Sequence, residues 1–374
     1  MLRYLTGGES HGKCLVAIVD GVPSGLRLES AMITRELSRR MAGFGRGARM
    51  SLEKDKVEIV SGLRRSYTIG SPVSLMIPNV DYSIDVRPDV QEPRPGHADL
   101  AGALKFNHKD IRNVIERASA RDTASRVAVG TVARILLKEF GIATISHVVM
   151  IGGVEADVEG ISCAEIVKAS ERSDVRCADP KASAHMHREI EKAARDGDSL
   201  GGVFEIIVRG LPSGLGSYSQ WDRRLDALLA RAVMSIQAVK GVSFGMGFEM
   251  AAKRGSAVHD EIFYDRKKGF YRKTNAAGGI EGGMTNGEDV VIRAAMKPIA
   301  TLKAALASVN IKTKRAVKAA VERSDVCAVP ACGVIAEAVV AFEIANAFLE
   351  KFGGDSLGEI RRNYEGYLKQ LKQF

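Results

Sequence analysis

The sequence predicts an α+β fold with long apolar helices inside and strands outside. Three observations predict it. Two stretches, residues 119–140 and 331–352, read as helices rich in alanine and valine. Short β-branched runs, bounded by turn residues, fall on either side of them. A faint internal repeat joins the two sets. Gly21-Val22-Pro23-Ser24-Gly25-Leu26 recurs as Gly210-Leu211-Pro212-Ser213-Gly214-Leu215, each after an apolar strand. Glu116-Arg117-Ala118-Ser119 precedes the first long helix, and Glu322-Arg323-Ser324-Asp325 the second.

Each element follows from local chemistry. The first helix carries Val127, Val129, Val132, Ile135, Leu136 and Leu137 among small residues and stops at Gly141. The second opens after Pro330 and stops at Gly353-Gly354, the usual placement of proline and glycine. Helices so poor in polar surface are buried on more than one side. Strands are predicted at residues 14–19, 56–61, 73–77, 145–150, 203–208 and 289–294, and the opening Met1-Leu2-Arg3-Tyr4-Leu5 can be another. Two related halves, about 1–150 and 200–355, would then pack helix against helix. Residues 78–93, polar and aperiodic, and the helical stretch 155–198 read as insertions without chemistry.

The 374 residues are 45% hydrophobic and 26% charged, enough for a substantial core and unlike a disordered chain. Five cysteines (Cys14, Cys163, Cys177, Cys327 and Cys332) form no C-x-x-C pair. That argues against a disulfide framework or a zinc site and for a reducing compartment. No signal-peptide pattern opens the chain. The apolar run 326–349 is interrupted by Glu337, Glu343 and Asn346, which argues against a membrane span. A cytoplasmic protein is the expectation.

The net charge is +9, and residues 35–65 hold nine basic side chains against four acidic ones. Such a patch attracts anions. Its arginines stand among glycines, notably Arg40 and Gly45-Arg46-Gly47-Ala48-Arg49. Guanidinium groups on tight turns suit a shaped phosphate or carboxylate pocket. An RNA-binding face is the competing reading, but the aromatic stacking partners of such a surface are missing.

Further groups suit proton transfer. Gly8-Glu9-Ser10-His11-Gly12 holds a histidine where backbone can approach a ligand closely. Arg94-Pro95-Gly96-His97-Ala98-Asp99 fixes a second histidine in a rigid turn, where it could also simply pair Asp99. Arg117, Ser119 and Arg121 open the first long helix, whose dipole adds to their pull on anions. Residues 278–287 hold five glycines against which a flat ligand or a phosphate could lie. They match neither the dinucleotide fingerprint nor the P-loop. Lys297 and Thr301 follow, then Arg323-Ser324-Asp325. Without a serine triad, metal cluster or Walker lysine, proton-transfer chemistry on a phosphorylated polyanion fits best. A phosphate-ester lyase without flavin is one form of that reading.

In this order, Gly8-Glu9-Ser10-His11-Gly12, Gly45-Arg46-Gly47-Ala48-Arg49-Met50, Arg94-Pro95-Gly96-His97-Ala98-Asp99, Glu116-Arg117-Ala118-Ser119-Ala120-Arg121, Gly282-Gly283-Met284-Thr285-Asn286-Gly287 and Arg323-Ser324-Asp325 resemble chorismate synthases from Met1 to about Asp355. The resemblance implies a β-α-β sandwich, long helices between two antiparallel sheets, in a homotetramer. It implies 1,4-elimination of phosphate from 5-enolpyruvylshikimate 3-phosphate, with reduced FMN and no net redox change. His11 would protonate the leaving phosphate, His97 would serve the flavin near N1, and Asp325 would assist flavin N5. Ser10, Arg40, Arg46, Arg49, Arg94, Arg121 and Arg323 would bind substrate. Ser119, Ala120, Arg121, Gln237, Ala238, Gly283, Lys297, Thr301 and Arg323 would hold the flavin, with Gln237 standing where relatives often have asparagine. The length, without large insertions, resembles forms served by an external flavin reductase, and leaves open whether NADPH reduces the flavin on this chain.

Overall fold

The computed structural model describes residues 1–47 and 53–374. Two antiparallel sheets face each other across a layer of helices. The first joins β1 (Arg3–Gly7), β2 (Cys14–Asp20), β3 (Glu58–Ile59) and β4 (Val73–Pro78) in the order β1-β2-β4-β3. The second joins β5 (Ala143–Ile151), β6 (Val154–Glu155), β7 (Gly202–Arg209), β8 (Val239–Phe244) and β9 (Val290–Met296) in the order β6-β5-β7-β9-β8. β5, which the sequence reading assigns to the end of the first half, pairs with β7 in the second sheet. The strand expected over residues 56–61 shrinks to two residues. β1, the partner of β2, completes one edge as the apolar opening suggests.

The α-helices among the described residues are α1 (Ser30–Met41), α2 (Asp99–Phe106), α3 (Arg112–Ala118), α4 (Thr123–Lys138), α5 (Cys163–Ser170), α6 (Pro180–Asp196), α7 (Leu225–Met234), α8 (Val329–Phe352) and α9 (Leu357–Gln373), and short two-stranded ribbons lie between them. α5 and α6 are the helices expected in the 155–198 insertion. α4 and α8 are the two predicted long helices and form the centre. α8 packs on β5 and β7, α4 on β2, and the two helices on each other. Twenty of the 24 residues of α8 are buried. Burial on all sides removes the need for a polar stripe, which is why its sequence shows none. The helices approach closely because Gly130 has no side chain. A Cβ there would stand 2.3 Å from the Ala338 carbonyl oxygen.

By length and composition α8 could cross a membrane, contrary to the expectation that it is too polar. The fold instead uses it as the core, with 89% of its most apolar window buried. Its one buried charge, Glu337, is matched by arginines from α1, α4 and the loop before α6.

The recurring hexapeptides make the same local structure. Thr68 Oγ1 donates to the Pro23 carbonyl (2.6 Å) and accepts from Leu26 N–H (2.9 Å). Thr285 Oγ1 donates to the Pro212 carbonyl (2.7 Å) and accepts from Leu215 N–H (2.9 Å). Each hydroxyl satisfies two backbone groups that burial would otherwise leave unpaired.

Candidate active site

The turn from β1 to β2 presents Ser10 and His11, both buried. Gly8, at φ +104°, lets the turn lie on β2, since a Cβ there would come within 2.4 Å of the Cys14 carbonyl oxygen. Glu116 of α3 grips the turn. Its backbone carbonyl accepts from Ser10 N–H (2.9 Å), and its carboxylate accepts from His11 N–H (2.8 Å) and lies 2.9 Å from His11 Nδ1. On the other side stands the segment 79–86. Ser83 and Ile84 donate their N–H groups to the His11 carbonyl at 3.1 Å, and Asn79 Nδ2 donates to the Gly12 carbonyl at 2.8 Å. Asp81 Oδ2 lies 3.8 Å from His11 Nε2. The stretch 78–93, expected to carry no chemistry, therefore frames the first histidine. It does so chiefly through backbone bonds, which leave no side-chain pattern to read.

Arg40 ends α1 and points inward. Its Nε donates to Thr123 Oγ1 (2.9 Å) and one terminal nitrogen to the Ala120 carbonyl (3.0 Å). The other stands 3.5 Å from Asp55 without a hydrogen bond. Arg121 meets the same aspartate at 2.5 Å and Asn79 Oδ1 at 2.9 Å, and its second terminal nitrogen is also buried without a hydrogen bond. Burial lowers the Arg40 pKa to about 10, Asp55 opposes that, and the charges of Arg46 and Arg121 add to it. Arg40, whose charge burial disfavours, and the buried donors of Arg40 and Arg121 that make no hydrogen bond suit an anion.

The loop ahead of α8 closes the group. Arg46 meets Asp325 at 2.9 Å, and Gly47 N–H donates to the same carboxylate at 2.6 Å. A Cβ on Gly47 would reach the Ser324 carbonyl oxygen at 2.9 Å, so this approach needs glycine. Ser324 Oγ donates to the Thr301 carbonyl (2.9 Å), and Thr301 Oγ1 accepts from Arg94 (2.7 Å). Arg94 also donates to Asp99 and stands 3.0 Å from His97 Nδ1. His97 Nδ1 lies 2.5 Å from Asp99. Burial pushes the Asp99 carboxyl up, but the bonds from His97 and Arg94 outweigh it and hold it well below its usual range.

Most sequence candidates thus converge in two sets. Ser10, His11, Arg40 and Arg121 lie about Glu116 and Asp55. Arg46, Arg94, His97, Thr301 and Asp325 lie about the loop before α8, with the charges of Arg46 and Asp325 felt at Arg40. Arg94 differs in its role. Its guanidinium donates to Asp99 and Thr301 and lies against His97, so it braces the second histidine while keeping an N–H free of a partner among the described residues. Arg323 is exposed and Arg49 lies outside the described residues. Sequence reasoning missed Asn79, Asp55 and the part of Glu116. Only Glu116 stood inside a noted motif.

The flavin candidates fall into two places. Ser119 Oγ accepts from Arg121 N–H, and the Ala120 carbonyl holds Arg40. Across the site, Ala238 (φ +69°) accepts from Lys297 N–H at 2.9 Å, and Lys297 Nζ donates to the Gly96 carbonyl at 2.7 Å. Burial, then the charge of Lys240, lowers the Lys297 pKa. Gln237 Oε1 is buried without a partner. A buried amide acceptor and two nearby ammonium groups fit a flavin phosphate with its polar ring edge. Gly283 stands apart. It precedes β9 while Lys297 follows it, and a seven-residue strand is roughly 20 Å long. Its carbonyl accepts from Leu225 N–H, and a Cβ would strike Arg224 at 2.8 Å. Within one chain Gly283 is a packing glycine.

Two cavities stand out among the described residues. One of about 360 Å³ borders the His11 turn at Gly8, Glu9, Gly12, Tyr82 and Ile84. Another, about 500 Å³, lies among Phe244, Met250, Val258, His259 and Ile280 and touches none of the converging residues.

The family model for chorismate synthase matches residues 2–349. The chain belongs to the chorismate synthase family. A chorismate synthase of Geobacter metallireducens is 55% identical over 393 aligned positions, covering all of both chains. One of Desulforudis audaxviator is also 55% identical, covering all of this chain and 98% of the relative. A solved crystal structure of a chorismate synthase superposes with a TM-score of 0.84 at 42% identity, covering 100% of this chain and 99% of that one. As a member of the chorismate synthase family, the chain is an enzyme of the lyase class.

Proposed function

We propose that this chorismate synthase relative eliminates phosphate from 5-enolpyruvylshikimate 3-phosphate to give chorismate, with reduced FMN bound and no net redox change. The observation that carries this reading is the buried arginine group with unused donors at Arg40 and Arg121. A substrate bearing one phosphate and two carboxylates satisfies such a group. Arg40, Arg46 and Arg121, with Ser10 and with Arg49 and Arg323, bind it. His11 gives its proton to the departing phosphate oxygen. His97, oriented by Asp99, would serve the polar edge of the flavin, and Asp325, paired with Arg46, would assist flavin N5 as the ring proton leaves. Ser119, Ala120, Gln237, Ala238, Lys297 and Thr301 hold the cofactor. When bound there, reduced flavin would supply the transient electron that helps phosphate leave and would regain it with no net redox change.

The deciding experiment is anaerobic turnover of the enolpyruvyl substrate with chemically reduced FMN. Chorismate is the expected product, and its absence overturns the reading. Replacing Arg40 by methionine is expected to lower kcat/KM by about 10- to 100-fold, the worth of one or two charged hydrogen bonds. Steady-state kinetics at fixed ionic strength measure this, and a change under twofold would take Arg40 out of the site.

Two related halves remain our reading of the architecture. β1-β2-β4-β3 and β5-β7-β9-β8 have the same order, each half closes with a central helix, and Thr68 and Thr285 make matching bonds. On that correspondence the second half opens at β5, with 155–198 inserted after it. Assembly as a homotetramer is supported by the outer face of the first sheet, where Leu5, Val16 and Ile18 are exposed. A cytoplasmic location, an external flavin reductase, and the lack of nucleic-acid or membrane partners complete the reading.

A further inference from the structure

We infer that Glu116 is the positioning residue for His11: it fixes the proton on Nδ1 and so makes Nε2 the nitrogen that serves the substrate. This rests on the role proposed above for His11. Glu116 is 3% exposed, and both of its carboxylate oxygens are turned to His11. An ionised carboxylate only accepts hydrogen bonds, so the facing ring nitrogen must donate. The neighbouring His11 N–H donates to the same group, and the Glu116 carbonyl holds Ser10. One residue thus sets the backbone, the ring plane and the tautomer of the turn. Arg112 stands behind the carboxylate at 3.9 Å and is itself paired with Glu322 at 2.8 Å, next to Arg323-Ser324-Asp325. The contact spans 105 residues and ties α3 to the β1–β2 turn.

Among the described residues, the charged groups about His11 are Glu116 from α3 and Asp81 from the 79–86 segment. Arg112 lies behind Glu116, and Arg117 reaches the turn at the Gly8 carbonyl. Burial pushes the Glu116 carboxyl up, but the bonds from His11 and the charges of His11 and Arg112 outweigh it and keep it ionised.

The test uses the full chain labelled with ¹⁵N-histidine, without substrate, above the pH at which His11 titrates. The unaltered protein is expected to show His11 protonated on Nδ1. Protonation on Nε2 would overturn the proposal, whatever the enzyme turns over. Glu116→Gln keeps the shape but puts a second donor beside His11. It is expected to lower kcat by about 10²-fold with KM little changed, to move the basic limb of the kcat profile to lower pH, and to disturb the Nδ1–H signal. Glu116→Asp should restore part of kcat. If Glu116→Gln lowers kcat and leaves the His11 spectrum unchanged, the residue is merely structural and the proposal fails. It also fails if kcat is unaltered in an enzyme whose parent makes chorismate. Should Glu116→Gln not fold, the spectrum of the unaltered protein decides.

Discussion

Replacing His11 by alanine is expected to slow chorismate formation by about 10²-fold or more while the protein stays folded, because it removes a positioned general acid. The imidazole is buried in the turn, with Nδ1 held by Glu116. A departing phosphate needs a proton, and few other groups near this turn can give one. Asp81 and Glu116 carry carboxylates, and the surrounding arginines hold their protons too tightly. The fold should survive because the anchors of the turn are backbone groups. His11 N–H still reaches Glu116, and Ser10 N–H still reaches the Glu116 carbonyl. Single-turnover measurement of chorismate with reduced FMN, beside a melting curve, makes the comparison. Turnover equal to that of the parent would remove His11 from its role.

Glu337→Ala is expected to destabilise the fold by about 3–5 kcal/mol, the usual cost of stranding buried charge. Glu337 is fully buried in α8 and accepts from Arg39 (2.7 and 3.0 Å), Arg176 (3.2 Å) and Ser146 Oγ (2.7 Å), with Arg134 at 3.1 Å. Removing it leaves three guanidinium groups short of a counter-charge between a helix and a sheet. Glu36 and Glu171 remain to share them, which should limit the loss to that range. Denaturant unfolding measures it, and a change under about 1 kcal/mol would contradict the account. The acid dependence has a definite sign. Burial raises the Glu337 pKa, but Arg134, Arg39 and Arg176 bring it down to about 2. A carboxylate depressed in the folded state stabilises above its ordinary pKa near 4.5, and that contribution fades as pH falls towards 2. Glu337→Ala should therefore show a flatter loss of stability over that window than the parent.

Much was written locally. The two central helices announced themselves by composition and by their glycine and proline ends, since those signals act within a few residues. The arginine turns and both histidines were legible because tight turns demand glycine or proline wherever charge must approach backbone. α1 and β8 were harder. α1 is mostly polar, and only Ile33, Leu37 and Arg40 are buried, although Arg39 also reaches Glu337. Nothing in that pattern tells that Arg39 will serve the core and Arg40 the site.

The order of residues settles the chemistry available: which groups carry protons and positive charge, and that they sit on rigid turns. How those groups are shared follows from folding. It set Glu116 against His11 across 105 residues and the Gly47 amide against Asp325 across 278. It drew Asn79 in from a stretch with no pattern, set Arg94 against Asp99, His97 and Thr301, and put Gly283 at the far end of β9 from Lys297. Periodicity and propensity act over a few residues. A buried ion pair is chosen by which strands and helices come to lie side by side, and only the closed sandwich fixes that.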